Sequence, residues 1–404
     1  MLEELLGERI GRLSDWGGPD VPIASPRDVP ELVAVLAHAR AAGARVLPIG
    51  NGTKLDWALV PERVDLALST RRLTGVVAHD PAEGVVTARA GTTMRDLARH
   101  VAAGGLRLVP DVARAERSTL GGVIGAAQSG GDRMRSGPLR DHVLGVGVVL
   151  ADGRLVRSGG ALVKDVAGYD LHRLVCGAHG LLGVVVEASL RLEPQPAERV
   201  LVRTRVPDLE RGVQAAFEVE ARCPGARAVR LDGTPEEVWL AVELDGEGEV
   251  TEDLLARALG VLGQAHVLRG DAARRVSEEL REREYEGGRW SQVELDTLPS
   301  QVAAAAHELV AIAGPRGQRL EVHPRAGIVH VAFEPGPTPD QAAAVEALAA
   351  RRRANLRWRG LPPQLRRELS ATRARPSGLD VMRRLREALD PTGLFAGPRL
   401  HPLL

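Results

Sequence analysis

The residues best placed to do chemistry in this sequence are glycines at points where backbone N–H groups can gather around an anion. A short apolar strand, Arg45–Ile49, runs straight into Gly50-Asn51-Gly52-Thr53. Successive N–H groups in such a turn form an anion-binding nest. Glycine recurs at Gly91, Gly121, Gly122, Gly125, Gly130, Gly131, Gly168, Gly177, Gly180 and Gly183, mostly at the ends of apolar runs or the starts of helical patterns. Glycine there permits positive φ and close approach of backbone to a bound group. Several such turns converging on one ligand suit a long, phosphate-bearing dinucleotide. Neither common phosphate loop is present: no third glycine follows at Rossmann spacing, and neither lysine follows glycine as a Walker loop requires.

Behind these turns stand the elements that must position them. Ser25-Pro26 reads as a helix start, with a 3.6-residue apolar pattern from Glu31 to Arg40 and Gly43 as the stop. Short strands are expected at Val64–Leu68, Thr74–His79 and Gly84–Ala90, then a helix from Met94 to Ala103. Ser118-Thr119 caps a helix reaching about Ala127, whose first turn favours an anion. The strand Val143–Leu150 turns at Asp152-Gly153 into Arg154–Arg157, and Gly168-Tyr169-Asp170 leads a short helix followed by the strand Leu182–Arg191. Glu193–Glu198 is a proline-bearing linker. Beyond it the order strand, helix, strand, strand, helix, strand occurs twice. It runs first from Val200 to Arg269 and then from Gln292 to Trp358, which predicts a pair of ferredoxin-like α+β halves.

Composition narrows the class. The 404 residues allow two or three domains, and 44% hydrophobic with 26% charged residues is ordinary for a globular protein. A formal net charge of zero gives no global electrostatic case for nucleic acid. No apolar run approaches a spanning helix, and the acidic opening MLEELLGERI is unlike a signal peptide, so a cytoplasmic protein is expected. Cys176 and Cys223 alone cannot build a disulfide framework or a metal cage. From Arg351 onward, thirteen arginines face four acids. The only lysines, Lys54 and Lys164, both fall inside the glycine-rich stretches.

The order of motifs from Val21 to Pro194 resembles the vanillyl-alcohol-oxidase type of FAD-binding domain (the PCMH type). Within that group it is similar to the FAD-binding E subunits of bacterial glycolate oxidases, related to FAD-linked D-lactate dehydrogenases. Pro48–Thr53 resembles the first pyrophosphate loop and Ser118–Gly130 the segment that wraps pyrophosphate and flavin. VKDVAGYDLHRLVCGAHGLLGVVV (Val163–Val186) and ALDPTGLFAGPRL (Ala388–Leu400) resemble the later motifs, the last returning to the flavin domain. The resemblance implies an α+β fold: an FAD-binding domain of two α+β subdomains over residues 1–195, a ferredoxin-like cap over 196–360, and a returning segment over 361–404. It implies non-covalent FAD, because Asn51 and Thr53 stand where covalently flavinylated relatives commonly carry histidine. The implied contacts are Pro48, Ile49, Gly50, Asn51, Gly52 and Thr53 in the first loop, then Gly91 and Pro110. Ser118, Thr119, Gly121, Gly122, Gly125, Ser129 and Gly130 come next. Lys164, Gly168, Gly177, Gly180, Gly183, Val184 and Val185 complete the set, with His179 near the ring.

For a 2-hydroxy acid, oxidation needs a cation for the carboxylate and a base near the hydroxyl proton. The segment His323-Pro-Arg-Ala-Gly-Ile-Val-His330 resembles the metal- and substrate-binding motif of the catalytic relatives, which makes His323, Arg325 and His330 the candidates. Ala326 and Ile328 replace that motif's Asp and Asn, and no later Glu-His-Gly follows. Two histidines without a carboxylate make a poor metal site, so no metal is expected. The resemblance implies a catalytic flavoprotein subunit and an iron–sulfur subunit as partners, with two alternatives: a non-catalytic FAD-binding scaffold, or a stand-alone D-lactate-type dehydrogenase. Peripheral attachment at the inner membrane would then run through those partners.

Overall fold

The computed structural model describes residues 10–13, 20–160, 170–283, 290–372, 378–397 and 399–400. The chain divides into two compact units. One comprises residues 1–128, 138–195 and 366–404; the other comprises 129–137 and 196–365. Among the described residues no helix is long and apolar enough to cross a membrane.

The first unit holds two sheets. Strands β1 (Ile10–Leu13), β2 (Val21–Ala24), β3 (Val46–Ile49) and β4 (Leu66–Ser69) are ordered β1-β2-β4-β3, with β2, β4 and β3 parallel. The helix Val29–Ala41 that follows β2 buries Leu32, Val35, Leu36 and Ala39, one stripe at helical spacing. Its start lies later than Ser25-Pro26: the Asp28 carboxylate caps it, accepting from Glu31 N at 2.9 Å, with Pro30 in the first turn. Ser25 lies just beyond β2, and its buried hydroxyl makes no hydrogen bond among the described residues.

The second sheet is antiparallel. Its strands are β5 (Val76–Asp80), β6 (Val85–Arg89), β7 (Leu106–Leu108), β8 (Val143–Val149), β9 (Leu155–Gly159) and β10 (Val184–Pro194). They run β5-β6-β10-β8-β9, with β7 on the end of β10. Two short helices pack here, Met94–Ala102 capped by Thr93 and Leu120–Ala126 capped by Thr119, the latter beneath β10 and β6.

The chain re-enters this unit at its far end. After the helix Leu379–Leu389, the Asp390 carboxylate accepts from Leu394 N at 2.7 Å and Phe395 N at 2.8 Å. Val46 N donates to Leu394 O and Ala396 N to Val46 O, which lays Phe395 parallel to β3 with its ring fully buried.

The second unit is one eight-stranded antiparallel sheet. It contains β11 (Glu198–Arg205), β12 (Ala228–Thr234), β13 (Glu237–Gly246) and β14 (His266–Arg269), then β15 (Ser291–Asp296), β16 (Gly317–His323), β17 (Ile328–Phe333) and β18 (Asn355–Arg359). The order β14-β11-β13-β12-β16-β17-β15-β18 is two βαββαβ halves in mirrored sequence, joined where Asp232 of β12 lies opposite Glu321 of β16. Period-two alternation sorts the sheet's faces. Leu231, Val242, Leu295, Val322 and Val329 are fully buried, while Arg230, Glu243, Glu294, Glu321 and His330 occupy alternate positions. Helices Leu209–Arg222 and Val302–Ala313 pack on the central strands. The segment Ser129–Gly137 belongs to this unit and brings Asp132 within 3.9 Å of Arg227 and Arg135 within 3.9 Å of Asp245.

Candidate active site

In the first unit the end of β3, the Thr119-capped helix and the turn before β10 surround an open cleft of about 770 Å³. Its first wall is Pro48, Ile49, Gly50, Asn51, Gly52 and Thr53, continued by Lys54 and Leu55. A second wall is Thr119, Gly121, Gly122, Gly125 and Ala126. The third is Val175, Ala178, His179, Gly180, Leu182, Gly183, Val184 and Val185, with Thr70 and Arg399 completing the lining.

Local contacts explain why these walls meet. A Cβ on Gly50 would lie 2.0 Å from Thr119 Oγ1, so the bare glycine lets the loop close onto the helix cap. Gly52 has φ +74°, the left-handed region that turns the loop back. Asn51 Nδ2 donates to Arg117 O at 3.0 Å, and Lys54 Nζ donates to Ser118 Oγ at 2.8 Å and Thr53 Oγ1 at 3.1 Å. Gly177 N and His179 N donate to Ile124 O and Gly125 O, both at 2.9 Å, tying the third wall to the second.

Several expected contacts are not among the described residues that line the cleft. Gly91 is buried against Thr70 O and Leu73 O, and Pro110 is buried without lining the cleft. Ser118 is spent on Lys54 and on Ala113 O, and Gly177 serves the turn before His179. Ser129 and Gly130 belong to the second unit. Lys164 and Gly168 lie outside the described residues. Lys54 and Arg399 are lining residues absent from the expected contacts. Lys54 carried a signal, being one of two lysines in an arginine-rich chain; Arg399 falls inside the Ala388–Leu400 motif expected to return to the flavin domain, though that motif did not single it out.

Arg399 donates through Nη1 to Leu59 O at 2.7 Å and through Nη2 to Leu55 O at 3.5 Å. Burial and the neighbouring Arg366 lower its pKa to about 9, with Asp56 opposing, so it stays protonated at neutral pH.

A second constellation lies on the second unit's sheet. Strand pairing sets His330 opposite both Glu294 and Glu321. His330 Nε2 is 3.1 Å from Glu294 and its Nδ1 3.8 Å from Glu321, while His323 Nε2 is 2.9 Å from Glu321. Arg359 and Arg357 pair with Glu294, and Arg230 reaches Glu321 at 3.6 Å. Burial opposes the charge on His330, but the two glutamates outweigh it and lift its pKa to about 9. Glu294 and Glu321 are buried too, yet the surrounding cations hold both well below the usual carboxylate range.

The premise that these histidines lack a carboxylate is therefore corrected. Glu321 and His323 share one face of β16 at i and i+2, which the strand pattern made readable; Glu294 arrives by non-local pairing. Glu321, His323 and His330 bring one ligand atom each within 4.8 Å of one another. The two glutamates favour the imidazolium form of His330, which has no lone pair to give a metal until its proton leaves. Arg325 stands apart, exposed in the turn between β16 and β17, where its charge acts on Glu220; burial raises that carboxyl to about 7.

Comparison with known proteins bears on the cleft first. Residues 22–159 match the family model described as FAD binding domain. The matched segment is an FAD-binding domain. The chain is 34% identical over 203 residues to glycolate oxidase subunit GlcD of Bacillus subtilis, covering 50% of this chain and 43% of that one. It is 34% identical over 193 residues to glycolate oxidase subunit GlcE of Escherichia coli, 45% of this chain and 55% of that one. It is 32% identical over 197 residues to D-lactate dehydrogenase of Archaeoglobus fulgidus, 49% and 44% of the two chains. The chain thus spans about half the length of the curated relatives it matches. Among solved structures, alkyldihydroxyacetonephosphate synthase superposes with TM-score 0.68 over 93% of this chain and 75% of that one, at 14% identity, a likeness of α+β fold.

The cleft fits FAD on its own features. A Cβ on Gly125, which lines it, would meet nothing within 4 Å, so the helix backbone there faces open space. Ile49, Leu182 and Val184 supply apolar surface, and no Asp or Glu is among the described lining residues to repel a pyrophosphate.

Proposed function

We propose that the chain is the FAD-binding subunit of a glycolate or related 2-hydroxy acid oxidase, whose turnover requires a catalytic flavoprotein subunit and an iron–sulfur subunit. The observation that carries this reading is the FAD-binding domain itself, together with its likeness to two proteins named as glycolate oxidase subunits. The cofactor is held by the Pro48–Thr53 loop, by Thr119, Gly121, Gly122 and Gly125, and by Gly180 and Gly183–Val185. When bound, FAD supplies the electron acceptor that no side chain can provide. The chain's own part is to bind and orient it, Val184 and Leu182 giving apolar contact and the loop backbone its polar contacts.

The second unit supports dependence on a partner. A general base must be neutral when it takes a proton, whereas His330 is held protonated between Glu294 and Glu321. His323 Nε2 is likewise committed to Glu321. We therefore assign this cluster to the architecture of the sheet, and oxidation of the acid to the assembled complex. Attachment to a membrane, where it occurs, runs through the partners.

Anaerobic mixing tests this. The FAD-loaded chain alone should keep its yellow absorbance with glycolate, D-lactate or D-2-hydroxyglutarate, and should bleach with one of them once co-expressed partners are present. Rapid bleaching of the isolated chain would replace this reading with a stand-alone dehydrogenase.

A further inference from the structure

The first wall of the cleft ends at Leu55, where the chain enters the 3₁₀ turn Leu55–Trp57 and runs on to Leu59. Leu55, Ala58 and Leu59 are all buried. The upstream end of this wall is pinned within the same unit: Ser69 Oγ donates to Gly50 O at 2.8 Å and Asn51 Nδ2 to Arg117 O at 3.0 Å. The downstream end meets a residue 340 positions away. Arg399 Nη1 donates to Leu59 O at 2.7 Å and Nη2 to Leu55 O at 3.5 Å, while Leu59 N donates back to Arg399 O at 2.8 Å. Side chain and main chain of one residue thus bracket the stretch from Leu55 to Leu59. Buried carbonyls are costly to leave without a donor. A planar guanidinium fork can serve two of them at once, whereas an ammonium is a single compact charge.

We propose that Arg399 is a positioning residue for the cofactor: it clamps the stretch from Leu55 to Leu59 and so holds the Gly50–Leu55 wall in the shape that receives FAD. This rests on the assignment of the cleft to FAD. No contact between the guanidinium and the ligand is required. Leu55 N donates to Gly52 O at 3.4 Å, so a shift of Leu55 is passed to the left-handed turn at Gly52. A loop that keeps its binding shape only part of the time loses affinity in proportion to that fraction. The clamp thereby gives the returning C-terminal segment a part in holding the cofactor.

The test uses the full chain stripped of flavin, with FAD affinity read from quenching of flavin fluorescence. Arg399→Ala should weaken FAD about 10- to 100-fold, the scale of hydrogen bonds from a charged donor. Methylguanidinium, added at concentrations that leave wild type unaltered, should fill the vacated place and restore most of the affinity. Methylammonium at the same concentration should restore little, and Arg399→Lys should stay about 10-fold or more weaker than wild type. Unchanged affinity in Arg399→Ala, or a loss that methylguanidinium does not relieve, would overturn the clamp. Equal rescue by methylammonium would reduce the role to charge alone and overturn the fork. Should Arg399→Ala not fold, Arg399→Lys carries the decision, and wild-type affinity in it refutes the proposal. A wild-type chain that binds no FAD would overturn the assignment of the cleft itself.

Discussion

Replacing His330 with glutamine removes the cation between Glu294 and Glu321 while keeping a side chain able to donate. The histidine's pKa is near 6.5 in an unfolded chain and about 9 in the folded one. Its proton therefore stabilises the fold fully below pH 6.5, and that contribution disappears as the pH rises through 9. The gap is worth on the order of 3 kcal/mol, in keeping with the roughly 3–5 kcal/mol that breaking a buried pair costs. Trp239 and Trp358 sit on strands of this unit, so urea unfolding followed by tryptophan fluorescence reports on it. Wild type should lose stability steadily between pH 6.5 and 9. His330→Gln should be about 3 kcal/mol less stable at pH 6 and close to wild type at pH 9.5. FAD content should be unaltered, because every lining residue of the cleft lies in the first unit. An equal loss at both pH values would refute the charge argument and leave only a packing defect.

Two further substitutions probe the cleft and the tail. Gly50→Val should push against Thr119 Oγ1, costing about 1–3 kcal/mol as overpacking does; the absorbance ratio of flavin to protein should collapse while circular dichroism stays near wild type, and full retention of FAD would contradict the packing account. Asp390→Ala should leave Leu394 N and Phe395 N without their acceptor, destabilising the first unit by about 2–4 kcal/mol. Faster FAD release and faster tryptic cleavage near Arg386 should accompany it, and an unchanged release rate would sever the tail from the site.

Much of the second unit was legible because its helices and strands announce themselves by period: the helix Leu209–Arg222 and the strands His266–Arg269 and Ile328–Phe333 stand where the pattern puts them. The start of the first helix was misread because Ser25-Pro26 and Asp28-Val29-Pro30 are both plausible caps, and only the Asp28 carboxylate's bond to Glu31 N separates them. The glycine loops pointed to a dinucleotide without telling which glycines face it. Gly50 and Gly91 are bare because neighbouring chain needs the room, whereas a side chain on Gly125 would meet only open space. The charged cluster was half readable. Glu321 shares a strand face with His323, but Glu294, Arg359 and Arg230 come from three other strands, and no local pattern encodes such pairing.

The strand-like return of Phe395 onto β3 and the place of Arg399 in the cleft wall have a consequence for biosynthesis. A ribosome completes β3 and the first loop early, then must make the whole second unit before the last wall residue emerges. Until then the nascent chain offers a flavin an unfinished seat, lacking one of its two buried cations and the segment that closes on β3. Completion of the cleft's wall is thereby deferred until Arg399 has been made, long after the glycine loops are finished.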